Sequence, residues 1–322
     1  MSVGCSEVTH AGPTALALVG PTAAGKTDLG VAVAQQFGLP ILCCDSVQVY
    51  RGLNIGSAKP SAAQRGLVSH ALLDLVEPSA CFSAGEYGRR ACARIDRTPG
   101  LFVGGTGFYL RSAAWSQSGD LAALDLPRAD PRRMSFERQW LVREGQTAGA
   151  VHAELARRDV ATAEHIHPRN VVRALRSLWL CERHGEPVSA VRGRDPPRRR
   201  MRLFAVVLDP GRETVDRAIA RRTEQMIAAG WVAEVEGLRE AGYDGRCEAM
   251  RSLGYRQLLE HLEVHTPLAY AVEAIKRATQ RYSRKQRTFF RNQFLTDQIV
   301  YISRPEEFPY ARAEAFLRGR PS

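Results

Sequence analysis

The chain has 322 residues, of which 44% are hydrophobic and 25% charged, and its 45 Lys plus Arg outweigh 34 Asp plus Glu to give a net charge of +11. That length exceeds what one compact core usually accommodates, and the positive balance favours a polyanionic partner. No stretch approaches the roughly 20 apolar residues of a membrane span, no basic start precedes the first apolar run as in a secretory leader, and seven cysteines without a C-x-x-C pair point to reduced thiols in a cytoplasm, not to a zinc site or disulfide frame.

The first apolar run, Ala15 to Val19, reads as a strand and feeds Gly20-Pro21-Thr22-Ala23-Ala24-Gly25-Lys26-Thr27, the complete pattern G-x-x-x-x-G-K-[ST]. In this pattern successive backbone N–H groups turn inward on phosphate oxygens, Lys26 adds a cation and the Thr27 hydroxyl is placed to ligate Mg²⁺ at a helix N-terminus. The helix itself is predicted by Leu29, Val31, Ala32, Val33 and Phe37, and is stopped by Gly38 and Pro40. The chain is thus expected to hold a di- or triphosphate.

A second strand, Ile41 to Cys44, delivers Asp45 to its carboxyl end, which in an open α/β sheet is the ligand crevice. A carboxylate there can take a proton from an acceptor hydroxyl or amine; the alternative is a helix cap. A third strand, Leu101 to Val103, runs into Gly104-Gly105-Thr106-Gly107, whose glycines allow close approach to a ligand and whose Thr106 offers an uncharged donor for a leaving oxygen. The Mg²⁺-holding Asp and water-positioning residue of a motor or switch ATPase are not found. From about Trp115 to Arg200 strand signals vanish, and helical patterns such as Phe136 to Val142 and Val151 to Arg157 suggest a helical insertion.

A fourth strand, Phe204 to Asp209, precedes a helix in which Val215, Ile219, Arg222 and Met226 share one face. An arginine inside an apolar stripe needs an anion, either a bound pyrophosphate or a structural carboxylate. Residues 273 to 292 carry seven basic residues and one acid; Val272, Ile275, Thr279, Tyr282 and Phe289 fall on one side and Arg277, Arg281, Arg284 and Arg291 on the other, a basic ridge on a buried helix. A second cluster of six arginines spans Arg192 to Arg202 around Pro196-Pro197 and reads as a loop or hinge. The expected fold is α/β, a P-loop parallel sheet with helices on both faces plus a helical insertion domain: 1–115 as the first part of the core, 116–200 as the insertion, 201–322 as the second part with basic C-terminal helices.

Together these segments resemble the tRNA dimethylallyltransferases, bacterial type, enzymes that move an isopentenyl group from its pyrophosphate to the adenosine just 3′ of the anticodon. The resemblance rests on Gly20 to Thr27, Asp45 to Tyr50, Gly56 to Pro60, Phe82 to Tyr87, Gly104 to Leu110, Met226-x-x-x-Gly230-x-x-x-Glu234-Val235, Ser252 to Gln257 and Arg284 to Arg291, in that order. It implies Asp45 as general base toward the exocyclic amine, Thr106 on the bridging oxygen, Arg222 and Lys26 on the departing pyrophosphate, and Thr27 on Mg²⁺. It further implies contact with a tRNA anticodon stem-loop by Asp45, Ser46, Val47, Gln48, Arg173, Arg176, Arg251, Tyr255, Arg256, Arg284, Lys285, Gln286 and Arg291, with the insertion covering the anticodon arm. Dimethylallyl pyrophosphate would be the donor, Mg²⁺ the cofactor, and the protein a cytoplasmic monomer with no membrane partner.

The chain departs from the family pattern at Asp159-Val160, His165, Arg169-Asn170, Ser177 to Trp179 and Phe289, none of which removes a catalytic group. His165 and His167 lack the further ligands of a metal site and read as loop residues. Three other readings share the cradle. A small-molecule kinase would place ATP there but leaves the C-terminal ridge unexplained; a non-enzymatic RNA-binding P-loop protein would need no base; an adenylate isopentenyltransferase would have no use for the insertion. Prenyl transfer to tRNA calls for an apolar pocket beside the cradle.

Overall fold

The computed structural model describes residues 12–116, 130–294, 296 and 298–319. They form two compact units, one of the described residues within 1–114 and 200–322 and one of those within 115–199. The stretch 117–129 of the expected insertion lies outside the described residues.

In the first unit, β1 (Thr14–Val19), helix α1 (Lys26–Phe37), β2 (Ile41–Cys44), α2 (Ala62–Leu67), β3 (His70–Ala71), α3 (Ala84–Ile95), β4 (Gly100–Gly104) and α4 (Gly107–Ala114) alternate along the chain. All strand pairings in the six-stranded sheet are parallel, in the order β3-β2-β4-β1-β5-β6 once β5 (Arg202–Leu208) and β6 (Gln298–Ile302) are added. The strands are apolar on both faces, as a sheet covered on both sides requires. On one face Leu16, Leu18, Ile41, Leu101, Phe204 and Val206 pack with Leu29, Val31 and Val33 of α1 and with Phe308, Ala313 and Phe316 from the C-terminal segment. Ala15, Ala17 and Val19, which alternate with them, are equally buried and face the opposite layer.

Four strands coincide with the expected ones to within two residues at each end. The other two, β3 and β6, are edge strands, and β3 is only two residues long, too short for a pattern of period two to show.

Within the second unit, α5 (Pro131–Gln146), α6 (Ala150–Arg158), α7 (Val160–Glu164), α8 (Val171–His184) and α9 (Val188–Arg194) enclose a core of Trp140, Val151, Leu155, Ile166, Leu178, Trp179 and Val191. The family departures are structural here. Asp159 is buried at the start of α7, accepting from the Thr162 amide and hydroxyl and from the Ser189 amide; Asn170 caps α8 through Arg173 N; Trp179 packs edge-on against Phe136.

The first unit is completed by α10 (Arg212–Ala228), α11 (Trp231–Glu240), α12 (Tyr255–Val264), α13 (Leu268–Asn292) and α14 (Tyr310–Leu317). Helix α13 packs along α10 and α12, touches α4 and accepts at its Phe290 carbonyl from the Tyr301 hydroxyl of β6, and α14 packs on β1.

Candidate active site

The cradle is built by the turn between β1 and α1. Gly25, the residue before α1, is left-handed at φ 87°, and Ala23 is also left-handed at φ 61°, so the turn alternates handedness and collects N–H groups at the helix N-terminus. Lys26 folds back onto this loop, its Nζ 2.6 Å from the Pro21 carbonyl. Burial, then the charge of Arg222, lowers its pKa to about 7, against the opposing pull of Asp45. A cation buried at that cost is stabilised by an anion.

Two cavities meet at this turn. The first, about 70 Å³, is polar and is lined by Lys26, Thr27, Gln48, Gly105 and Gln286. The second, about 200 Å³, is apolar, with Val47, Ile219, Met226, Trp231, Leu253 and Ile275 among its walls. Thr22, Asp45, Ser57 and Arg222 line both. The stripe on α10 thus does what its spacing suggests: Val215, Ile219 and Thr223 are buried while Arg222 emerges into the crevice. Burial lowers the Arg222 pKa and the charge of Asp45 raises it.

Asp45 follows β2 directly, and its Oδ1 accepts from Val47 N at 2.8 Å and Gln48 N at 3.4 Å. The capping geometry weighed as an alternative is therefore present, but it occupies one oxygen, and the carboxylate still lines both cavities. Thr106 stands behind the lining glycines; its Oγ1 accepts from Ser46 N at 3.1 Å and lies 3.5 Å from Ser46 Oγ. Gln48 Nε2 donates to the Ser57 and Ala58 carbonyls and so fixes the loop that forms the opposite wall.

Two of the expected RNA contacts have partners within the protein. Gln286 is 6% exposed: its Oε1 accepts from Thr22 N at 2.9 Å and its Nε2 donates to Gly105 O at 2.8 Å, tying the cradle to the glycine loop. Tyr255 is wholly buried, its hydroxyl donating to Glu234 Oε1 at 2.7 Å. The remaining cationic positions, Arg251, Arg256, Arg284, Lys285 and Arg291, are exposed in the first unit, and Arg173 and Arg176 are exposed on α8 of the second. The ridge is less free than its sequence implies. Arg287 pairs with Asp209 at 2.8 Å, Arg291 approaches the same carboxylate at 3.6 Å, and Arg284 lies 3.6 Å from Asp216.

Comparison with known proteins places this geometry. A family model described as IPP transferase matches residues 48–293 and a second, described as isopentenyl transferase, matches residues 13–74. The chain belongs to the IPP transferase family. It is similar to tRNA dimethylallyltransferase 2 of Geotalea uraniireducens, 38% identical over 90% of this chain and 92% of the relative, and to the tRNA dimethylallyltransferase of Gloeobacter violaceus, 38% identical over 93% and 97%. The crystal structure of the full-length tRNA isopentenylpyrophosphate transferase of Bacillus halodurans superposes with a TM-score of 0.63 at 26% identity, covering 95% of this chain and 97% of that one. A eukaryotic dimethylallyltransferase acting on tRNA shares the fold at a TM-score of 0.76 and 19% identity. Family membership makes the chain a transferase and sets aside the kinase and the non-enzymatic binder.

Three contributors escape motif reading. Tyr282 was expected to pack, yet it is 37% exposed and its hydroxyl reaches Thr106 and Gln286; burial of that end and the Asp45 charge push its pKa up to about 12. Glu234 accepts from the amides of Asn54, Ile55 and Gly56 as well as from Tyr255, pinning the loop that carries Ser57. Trp231 walls the apolar cavity. Glu234 stands in a motif whose role the spacing could not reveal, because its partners lie 178 to 180 residues earlier.

Proposed function

We propose that this protein transfers a dimethylallyl group from dimethylallyl pyrophosphate to the exocyclic amine of the adenosine just 3′ of the anticodon in tRNA, releasing pyrophosphate. The observation that carries the reading is the shared wall: a polar cradle for a pyrophosphate and an apolar room for a prenyl group meet at Asp45 and Arg222. The names of the relatives supply the acceptor.

The amine nitrogen attacks C1 of the prenyl group as the C1–O bond breaks and its electron pair leaves with pyrophosphate. Asp45 takes the amine proton; the N–H bonds on Oδ1 hold the carboxylate in place and leave Oδ2 to accept it. Lys26, Arg222 and the cradle amides stabilise charge that grows on the departing group. Thr106, anchored by Ser46 N, donates a hydrogen bond from its hydroxyl to the bridging oxygen in exchange for its 3.5 Å contact with Ser46.

Among the described residues no group of three His, Cys, Asp or Glu could hold a metal ion. The donor set fits Mg²⁺ bound chiefly through pyrophosphate oxygens and water, with the Thr27 hydroxyl as its protein ligand. Such an ion would neutralise pyrophosphate charge.

No described helix is long and apolar enough to cross a membrane. We place the enzyme in the cytoplasm, where its tRNA substrate is found, as a monomer. The exposed arginines on α8 and α13 serve the anticodon stem-loop.

The test is transfer of labelled dimethylallyl to an unmodified anticodon stem-loop with adenosine 3′ of the anticodon, in Mg²⁺, with AMP as a parallel acceptor. Label on the stem-loop alone is the expected result. Label on AMP alone would reassign the enzyme to free nucleotides, and no label on either would overturn the reading.

A further inference from the structure

One wall of the apolar cavity is a tightly packed aromatic ring. Trp231, the first residue of α11, is 2% exposed and its indole lies across two glycines. A Cβ on Gly56 would fall 2.0 Å from Nε1, and one on Gly254 2.1 Å from the far edge of the six-membered ring. Tyr255 meets the ring edge-on with centroids 5.6 Å apart, and the Tyr255 hydroxyl is held by Glu234. The indole N–H is buried without a hydrogen-bond partner among the described residues, so packing and not a polar contact fixes the ring. An aromatic side chain wedged between backbone atoms has no low-energy rotamer to swing into.

The room in front of that wall is about 200 Å³. An apolar cavity of roughly 150 Å³ accepts one benzene ring, six carbons. The space therefore holds one five-carbon prenyl group together with the edge of the acceptor base. A second isoprene unit has two ways to go: through Trp231, or out by the open side that the base must use. Either way a ten-carbon donor fails to react, even where its pyrophosphate binds.

We propose that Trp231, held between Gly56 and Gly254, sets the length of the prenyl group and restricts the donor to five carbons. The inference rests on the prenyl-transfer reading, because it assigns the apolar cavity to the donor.

The experiment compares dimethylallyl and geranyl pyrophosphates as donors to the stem-loop. The wild-type enzyme transfers dimethylallyl and discriminates against geranyl by at least about a hundredfold in kcat/KM, a ratio within reach of a single closed apolar wall. Trp231→Ala and the milder Trp231→Leu raise the geranyl-to-dimethylallyl ratio by about tenfold or more. Phe316→Leu, which loosens the sheet core far from this cavity, leaves the ratio unchanged and separates length control from general softening. Comparable use of both donors by the wild-type enzyme overturns the proposal, a result that stands even if no Trp231 variant folds. An unchanged ratio in folded Trp231→Leu that still transfers dimethylallyl also overturns it. Absence of dimethylallyl transfer by the wild-type enzyme instead defeats the underlying reading.

Discussion

The two cavities that meet at Asp45 are built on different principles. The polar one is built around the ends of strands: the segments after β1, β2 and β4 supply Thr22, Lys26, Thr27, Asp45 and Gly105, and Arg222 and Gln286 reach it from α10 and α13. Each strand-end segment is a short local pattern placed by the sheet at the same carboxyl edge. The apolar one shares Thr22, Asp45 and Ser57 with those segments but takes most of its apolar walls, Ile219, Met226, Trp231, Leu253 and Ile275, from α10, α11, the segment before α12 and α13. The centre of the polar cavity is therefore written in short local patterns, and the apolar walls only in the packed molecule.

Asp45 belongs to both cavities, so its removal is the most severe way to break the pair apart. Asp45→Asn preserves an oxygen for Val47 N but cannot accept the amine proton. Its single-turnover transfer rate should fall by about 10² to 10⁴, while stem-loop affinity stays within about twofold. A normal rate would show that the carboxylate serves only as a turn anchor.

Glu234 tests the apolar side. Its two oxygens take three amides and the Tyr255 hydroxyl. In Glu234→Gln one oxygen becomes a donor facing donors, so at least one partly buried N–H or O–H loses its partner, at about 2 kcal/mol. Urea unfolding should register that loss, and transfer should suffer in kcat as the Ser57 loop loosens. Unchanged stability would mean the loop is held by Lys59 instead, whose side chain is 2% exposed and which bonds the Tyr50 carbonyl, Asn54 and Asp74.

These two residues also mark how far the sequence could be read. Four of six strands, the cradle, Asp45 and the Arg222 stripe follow from patterns of period two or 3.6 and from one motif with fixed spacing. Glu234, Trp231 and Tyr282 do not, because their chemistry depends on partners far away along the chain: Glu234 on residues 54–56, Trp231 on Gly56, and Tyr282 on Thr106. The family resemblance implies an RNA contact for Gln286 as for Lys285; a helix turns 100° per residue, and that is enough to send Gln286 inward while Lys285 stays outside.

On the polar side, Gln286→Ala removes the bridge between Thr22 N and Gly105 O. The KM for dimethylallyl pyrophosphate should rise by about tenfold, equivalent to the roughly 1.4 kcal/mol net worth of such bonds, with stem-loop affinity unchanged. The opposite split, weaker RNA binding with an unchanged donor KM, would restore Gln286 to the RNA surface.

Lys26 gives the same cavity a pH signature. Its pKa of about 7 is set by burial and by Arg222, and an incoming pyrophosphate raises it. The bound state then holds more protons than the free state above pH 7, so binding takes up a proton and donor affinity falls as pH rises through and beyond 7. Calorimetry in buffers of different ionisation enthalpy reads the uptake directly. Lys26→Arg, charged throughout, isolates whatever proton belongs to the ligand itself.

The smallest effect is expected from the outer ridge, where the count of cations overstates their availability. A free arginine on a phosphate steepens the salt dependence of RNA binding by a little under one unit of log K against log salt. Arg291 shares Asp209 with Arg287, and Arg284 faces Asp216. Each must leave a carboxylate before it can meet a phosphate, so part of its charge is already neutralised. Arg284→Gln with Arg291→Gln should flatten the slope by about one unit in total, not two. Asp209→Asn should move it the other way by freeing Arg291, with the Arg287 contact reduced to a neutral hydrogen bond. A full two-unit loss would show that both pairs dissolve when RNA binds, and no change would remove this face of α13 from the interface.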